Sequence, residues 1–223
     1  MLSNRQSKIL NSIIEEYINT AMPVSSGRVF DMENWEISCP TIRNEMADLT
    51  DMGFLNQPHT AAGRVPTERG YRFFVDELLE AHQEKMQARK EKVEKEASQA
   101  RAENVKLFAD RVSREVKSVA IFVDENGDIR HVGLKTALQN PEFQTRGEVI
   151  SLIDEIERLE QSADEILNRM EREFTIFIGS ENPFFDHANY SMISRRFDKG
   201  FISLIGPMRT DYQKSISMFI RLF

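Results

Sequence analysis

The hydrophobic period of this chain changes near Lys117, and that change limits what it can fold into. Before it, apolar residues recur at helical spacing, with one strand-like interruption around residues 54–66; just after it, Val119, Ile121 and Val123 alternate with period 2. Two patterns in 223 residues imply two small domains, each able to bury its own core. With 40% hydrophobic and 29% charged residues and only 10 Gly and 7 Pro, the composition is globular. No apolar run approaches the roughly 18 residues a spanning helix needs. The start MLSNRQSKILNSII sets polar residues in every turn, where a signal peptide needs an unbroken apolar core. One cysteine, Cys39, excludes an internal disulfide and a cysteine metal cluster. These features predict a soluble, cytoplasmic protein.

Ile9, Ile13, Ile14 and Tyr17 predict an amphipathic helix over residues 4–20 with Ser3 as N-cap, ended by Ala21-Met22-Pro23. A short helix is expected over 26–32, then a turn at 34–37. Ser38-Cys39-Pro40-Thr41 starts a third helix, with Ser38 as N-cap and Pro40 in the first turn. Ile42, Met46 and Leu49 form its inward stripe, so Asn44, Ala47 and Asp51 face outward, flanked by Thr41 and Asp48 on one side and Arg43 on the other. Gly53 closes this helix; a strand over 54–57, a loop and a returning strand follow. Thr67 then caps a helix bearing Tyr71, Phe74, Val75, Leu78 and Leu79.

This order, helix, short helix, turn, helix and two short strands, is that of a winged helix-turn-helix, which sets the start of its third helix against base edges in the major groove. Arg43 and Asn44 are the candidate base contacts, since arginine pairs bidentately with guanine and asparagine with adenine; the bland alternative is helix solubility. Ser38 and Thr41 suit capping and phosphate contact. In the wing, His59, Thr60 and Arg64 are candidates for phosphate or the minor groove, with a salt bridge as the alternative for Arg64. Arg28, Arg69 and Arg72 are further candidate contacts to backbone phosphates. Charge limits the mode of binding: residues 1–80 hold 7 Lys and Arg against 12 Asp and Glu, 81–118 hold 10 against 7, and 119–223 hold 12 against 17. A non-specific coater of nucleic acid needs a broad positive surface, which this chain lacks; a specific reader with a small basic footprint does not. The acidic residues Glu45 and Asp48 beside the outward face call for arginine partners, or for a cytosine amino group at Glu45.

From Ala81 to about Arg114 the chain is rich in Glu, Lys, Arg, Gln and Ala, and reads as a long, mostly solvated linker helix more than a strong coiled coil. Beyond it come a hairpin turning at Asn126-Gly127, with a return strand over 129–135, an amphipathic helix over 146–171, strands at 174–178, 190–197 and 201–205, and a helix from about Asp211. The order ββαβββα describes an antiparallel α+β domain.

The runs Pro40-Thr41-Ile42-Arg43-Asn44-Glu45-Met46-Ala47-Asp48-Leu49, Gln57-Pro58-His59-Thr60-Ala61-Ala62-Gly63-Arg64-Val65-Pro66-Thr67 and Gly70-Tyr71-Arg72-Phe73 closely resemble the heat-inducible transcription repressor family HrcA. So do Leu134 to Phe143, Ile178 to Asn182 and Ile205 to Tyr212 in the second half. The resemblance implies an α+β protein with an N-terminal winged helix-turn-helix (1–80), a linker and dimerisation helix (81–116) and a shortened GAF-like domain (117–223). It further implies a homodimer that represses chaperonin and DnaK operons from a double-stranded inverted-repeat operator at the nucleoid and lets go on heat stress. In several members the chaperonin GroEL keeps the repressor active. A two-fold dimer suits a palindromic site. The chain departs from the family in its compact second domain, in Val24-Ser25-Ser26-Gly27-Arg28, and at Met208 and Thr210.

For an enzyme the residues offer nothing. His59, His82, His131 and His187 lack metal spacing, Asp186-His187 has no matching nucleophile, and Gly179-Ser180-Glu181-Asn182 is a turn without a phosphate cradle's lysine. No catalytic residue, cofactor or metal is expected. The competing reading is a stress-linked protein- or ligand-binding module whose winged helix no longer reads DNA.

Overall fold

In the computed structural model, which describes residues 2–59, 62–96, 101–123, 128–162, 165, 166, 170, 174–197 and 200–220, with side chains for all of these but 83–96 and 101–104, the chain forms an α+β structure of two units, Met1–Glu80 and Ala81–Phe223. Thr60 and the Asn126-Gly127 turn lie outside the described residues.

In the first unit α1 (Asn4–Thr20) opens on a capping box: the Ser3 hydroxyl accepts from the Gln6 amide while the Gln6 side chain accepts from the Ser3 amide. It stops where Ala21 turns left-handed at φ 56° and donates to the Tyr17 carbonyl, one residue into the Ala-Met-Pro stop. Helix α2 (Ser26–Met32) starts at an N-cap serine, Ser25, and α3 (Cys39–Asp51) at Ser38. Helix α3 ends in a Schellman closure: Gly53, at φ 79°, donates to Thr50, and Phe54 donates to Leu49, both at 2.9 Å. Ile9, Leu10, Ile13 and Ile14 of α1 are buried, as are Val29 of α2 and Ile42, Met46 and Leu49 of α3. Strands β1 (Leu55–Asn56) and β2 (Val65–Pro66) pair antiparallel, Leu55 opposite Pro66. Thr67 then caps α4 (Glu68–Glu96), accepting from the Gly70 amide. Tyr71, Phe74 and Val75 complete the core, and Glu77 of α4 holds α1 by accepting from Ser7 at 2.8 Å and Asn11 at 2.7 Å.

In the second unit α5 (Arg101–Val116) leads into an antiparallel sheet of order β4-β3-β7-β6-β5: β3 (Val119–Val123), β4 (Ile129–Val132), β5 (Phe174–Ile178), β6 (Tyr190–Phe197) and β7 (Gly200–Pro207). Val119, Ile121 and Val123 join Leu152, Ile156 and Leu159 of α7 (Arg146–Gln161) in one cluster. Ala120 and Phe122 are equally buried and point to the opposite face of the strand, the side taken by α5 and α8 (Tyr212–Ile220), where Phe108 meets Phe219 edge-on at 5.6 Å.

Three expectations need correction. The solvated helix over 81–114 is not solvated in its later part: Val105, Phe108, Ala109 and Val112 are buried, because a sheet covered on both faces needs a second helical layer. The return strand stops at Val132, since Gly133 at φ 91° turns the chain into the short helix α6 (Leu134–Ala137). Helix α7 ends at Gln161, where Ser162 leaves helical geometry at φ −107° and ψ 16°, so the expected helix is interrupted there; beyond the break Ile166 donates to the Ser162 carbonyl at 2.9 Å and Met170 to the Ile166 carbonyl at 3.0 Å.

Candidate nucleic-acid interface

The N-terminus of α3 is built by Ser38, whose hydroxyl accepts from the Thr41 amide and lies 3.0 Å from the Thr41 hydroxyl. Both residues are occupied in capping. One turn on, Arg43 and Asn44 are exposed, and among the described residues neither makes a side-chain hydrogen bond or ion pair. Ile42 between Thr41 and Arg43 is wholly buried, so the helix cannot roll to hide that face without exposing its apolar stripe. Glu45 turns from it to Arg5 of α1, at 3.2 Å.

The other cations predicted from sequence, four arginines, each have a partner within the protein. Arg28 grips Glu16 through Nε at 2.8 Å and Nη2 at 3.3 Å. Arg64 donates from Nε to the Thr50 hydroxyl at 2.9 Å, neither free nor paired with an acid there. Arg69 donates to the Met52 carbonyl at 2.7 Å with its guanidinium 4.4 Å from the Phe54 ring centre. Arg72 pairs with Asp76 at 3.3 Å. His59 is exposed in the loop between β1 and β2.

Sequence reasoning missed Thr50 and Arg5. The signal for Thr50 was a hydroxyl in the last turn of α3, on a helix whose end the chain must cross again at β2. Arg5 could have been found from Glu45, which is set to turn toward α1.

Among the described residues of the second unit no comparable exposed constellation forms. Its most unusual group is Glu155, 1% exposed, which accepts from the amides of Asp186 and His187 at 3.1 Å each and lies 2.9 Å from His187 Nδ1. Burial pushes the Tyr190 phenol up, against a hydrogen bond to Ser151. Gly179–Glu181 is a 3-10 turn. Among the described residues no group of three or more His, Cys, Asp or Glu could hold a metal, and no helix is long and apolar enough to cross a membrane.

The family model described as HrcA protein C terminal domain matches residues 72–216. Heat-inducible transcription repressor HrcA of Natranaerobius thermophilus is 62% identical over 78 residues, 35% of this chain and 23% of that protein. The protein of that name from Brevibacillus brevis is 52% identical over 82 residues, 37% of this chain and 24% of that one. The matches thus span less than a quarter of these curated relatives' lengths. The crystal structure of a hypothetical protein at 2.2 Å resolution has a similar fold, with TM-score 0.75 at 19% identity over 99% of this chain and 95% of that one.

Proposed function

Because this chain belongs to the HrcA family, we propose that it is a transcriptional repressor that binds DNA by sequence, with residues 1–80 as a winged helix, 81–116 as a linking and dimerising helix and 117–223 as a GAF-like domain. Arg43 and Asn44 reach base edges from the first turns of α3. Ser38 and Thr41 hold that end of the helix to a phosphate, and His59 and Thr60 extend the contact from the wing. The observation that carries the proposal is the pairing of Arg43 and Asn44: two side chains suited to bidentate base contact, exposed together on a helix whose opposite face is locked into the core.

The rest follows from symmetry and charge. A homodimer matches an inverted repeat, and two modules that bind weakly alone gain affinity when joined. The operator lies before chaperonin and DnaK operons in the cytoplasm, heat releases the repressor, and a chaperonin of the GroEL type keeps it active. The chemistry is binding; no reaction is catalysed.

Arg43→Ala and Asn44→Ala test this. Each lowers the preference for an inverted-repeat duplex over its scrambled counterpart by about 1–3 kcal/mol. Unchanged preference in both folded variants would remove Arg43 and Asn44 from the base contacts, and parent protein with no preference would leave the alternative module, which binds protein or ligand without reading DNA.

A further inference from the structure

The wing and α3 must keep one mutual geometry if both are to meet the same duplex, and one side chain joins them. Arg64 lies immediately before β2. Its main chain bridges to Val24, just ahead of α2: Val24 donates to the Arg64 carbonyl at 2.9 Å and Arg64 donates to the Val24 carbonyl at 2.8 Å. The preceding residue must be glycine, because a Cβ on Gly63 would fall 2.4 Å from the Val24 carbonyl carbon and oxygen. The backbone beside the wing is therefore pressed against the junction of α1 and α2.

The side chain of Arg64 goes the other way, to Thr50 in the last turn of α3. The Thr50 hydroxyl has one proton, and it donates that proton to the Met46 carbonyl at 2.8 Å. Only its lone pairs remain, so it takes the Arg64 Nε–H as acceptor. A lysine has no Nε–H at that point along the chain and cannot reproduce the bond. Arg69 reinforces the same helix end by donating to the Met52 carbonyl, where a cation also meets the negative end of the helix dipole.

We propose that Arg64, with Thr50 as its acceptor, is a positioning residue that sets the angle between the wing and α3, and that it acts on DNA affinity through that geometry and not as a phosphate ligand. The inference rests on the proposed DNA binding. It concerns the full chain, because a repeat is met by two such modules at once and an error in angle counts at both.

The two roles leave different signatures in salt. A phosphate ligand contributes about 0.9 to the slope of log affinity against log salt; a strut contributes nothing to it. The experiment titrates the 223-residue protein with a fluorescent inverted-repeat duplex and a scrambled one over a range of salt. Thr50→Val removes the acceptor and leaves every charge in place; Thr50→Ser keeps the hydroxyl. We expect Thr50→Val, Arg64→Ala and Arg64→Lys each to weaken binding to the repeat roughly tenfold with an unchanged slope. Thr50→Ser should bind as the parent does, and Thr50→Val with Arg64→Ala should be no weaker than either alone. The proposal is overturned if Thr50→Val binds normally, or if Arg64→Ala flattens the slope by about 0.9 while Arg64→Lys restores affinity. Parent protein that does not separate the repeat from the scramble would refute the DNA-binding proposal instead. The strut is then judged by thermal unfolding of the same variants, where coupled losses at Thr50 and Arg64 support it and additive losses reject it.

Discussion

Arg5 of α1 reaches Glu45 of α3, Nη1 to Oε1 at 3.2 Å, and turns the carboxylate next to Asn44 toward the body of its own unit. The pair is partly exposed, so its worth to stability is under about 1 kcal/mol. On the proposed DNA face its effect should be larger, because a released carboxylate beside Arg43 and Asn44 would repel phosphate. Arg5→Ala should weaken binding to repeat and scrambled duplexes alike, and adding Glu45→Gln should recover most of the loss. Duplex affinity that ignores Arg5→Ala would show that Glu45 faces the protein without its help.

Gly63 and Gly27 make a paired test of backbone against helix propensity. A methyl at Gly63 meets the Val24 backbone, and Gly63→Ala should cost about 1–3 kcal/mol. A methyl at Gly27, within α2, comes no closer than 3.9 Å to the Ser25 hydroxyl, and Gly27→Ala should stabilise by up to about 1 kcal/mol. Thermal unfolding of the two variants checks both signs.

Acid should loosen the first unit at one identifiable pair. Lys8 lies 2.5 Å from Glu33, and this contact, with a bond from Ser12, holds the Glu33 carboxyl below its ordinary value of 4.5 against the opposing effect of burial. A depressed carboxylate stabilises the fold above its unfolded value, and that contribution fades as pH falls from about 4.5 through the folded value. In denaturant unfolding followed against pH, Glu33→Gln should flatten the loss in this window and change little at neutral pH beyond a constant offset.

Glu155 anchors the chain ahead of β6 to α7. Glu155→Ala leaves the Asp186 and His187 amides without their acceptor and should cost about 3 kcal/mol or more, with Glu155→Gln losing less. Hydrogen exchange should quicken at Asp186 and His187. Protection there that survives Glu155→Ala would mean the turn holds itself.

The elements of the first unit were legible because each boundary carries local chemistry. Ser3, Ser25 and Ser38 cap, Ala21-Met22-Pro23 stops α1, and Gly53 takes a left-handed turn. Arg43 and Asn44 could be placed by counting from Ile42, Met46 and Leu49, because a helix that buries one face exposes the other. The arginines could not be placed this way. Whether Arg64 or Arg69 is free depends on the end of α3, brought beside them only by the fold. The burial of α5 was hidden by its charged composition: Val105, Phe108, Ala109 and Val112 form a narrow stripe that becomes a core only when the second face of the sheet is counted. Glu155 was hidden for a similar reason, since the partners that make its burial tolerable lie across the fold, at Asp186 and His187.

The most direct measurement of DNA reading is fluorescence anisotropy of the protein with an inverted-repeat duplex, a single half-site and a scrambled duplex near physiological salt. A dimer that reads DNA by sequence binds the repeat tightly, the half-site weakly and the scramble not at all over the same concentrations. Equal binding to all three, or none to any, by folded protein would contradict DNA reading by sequence.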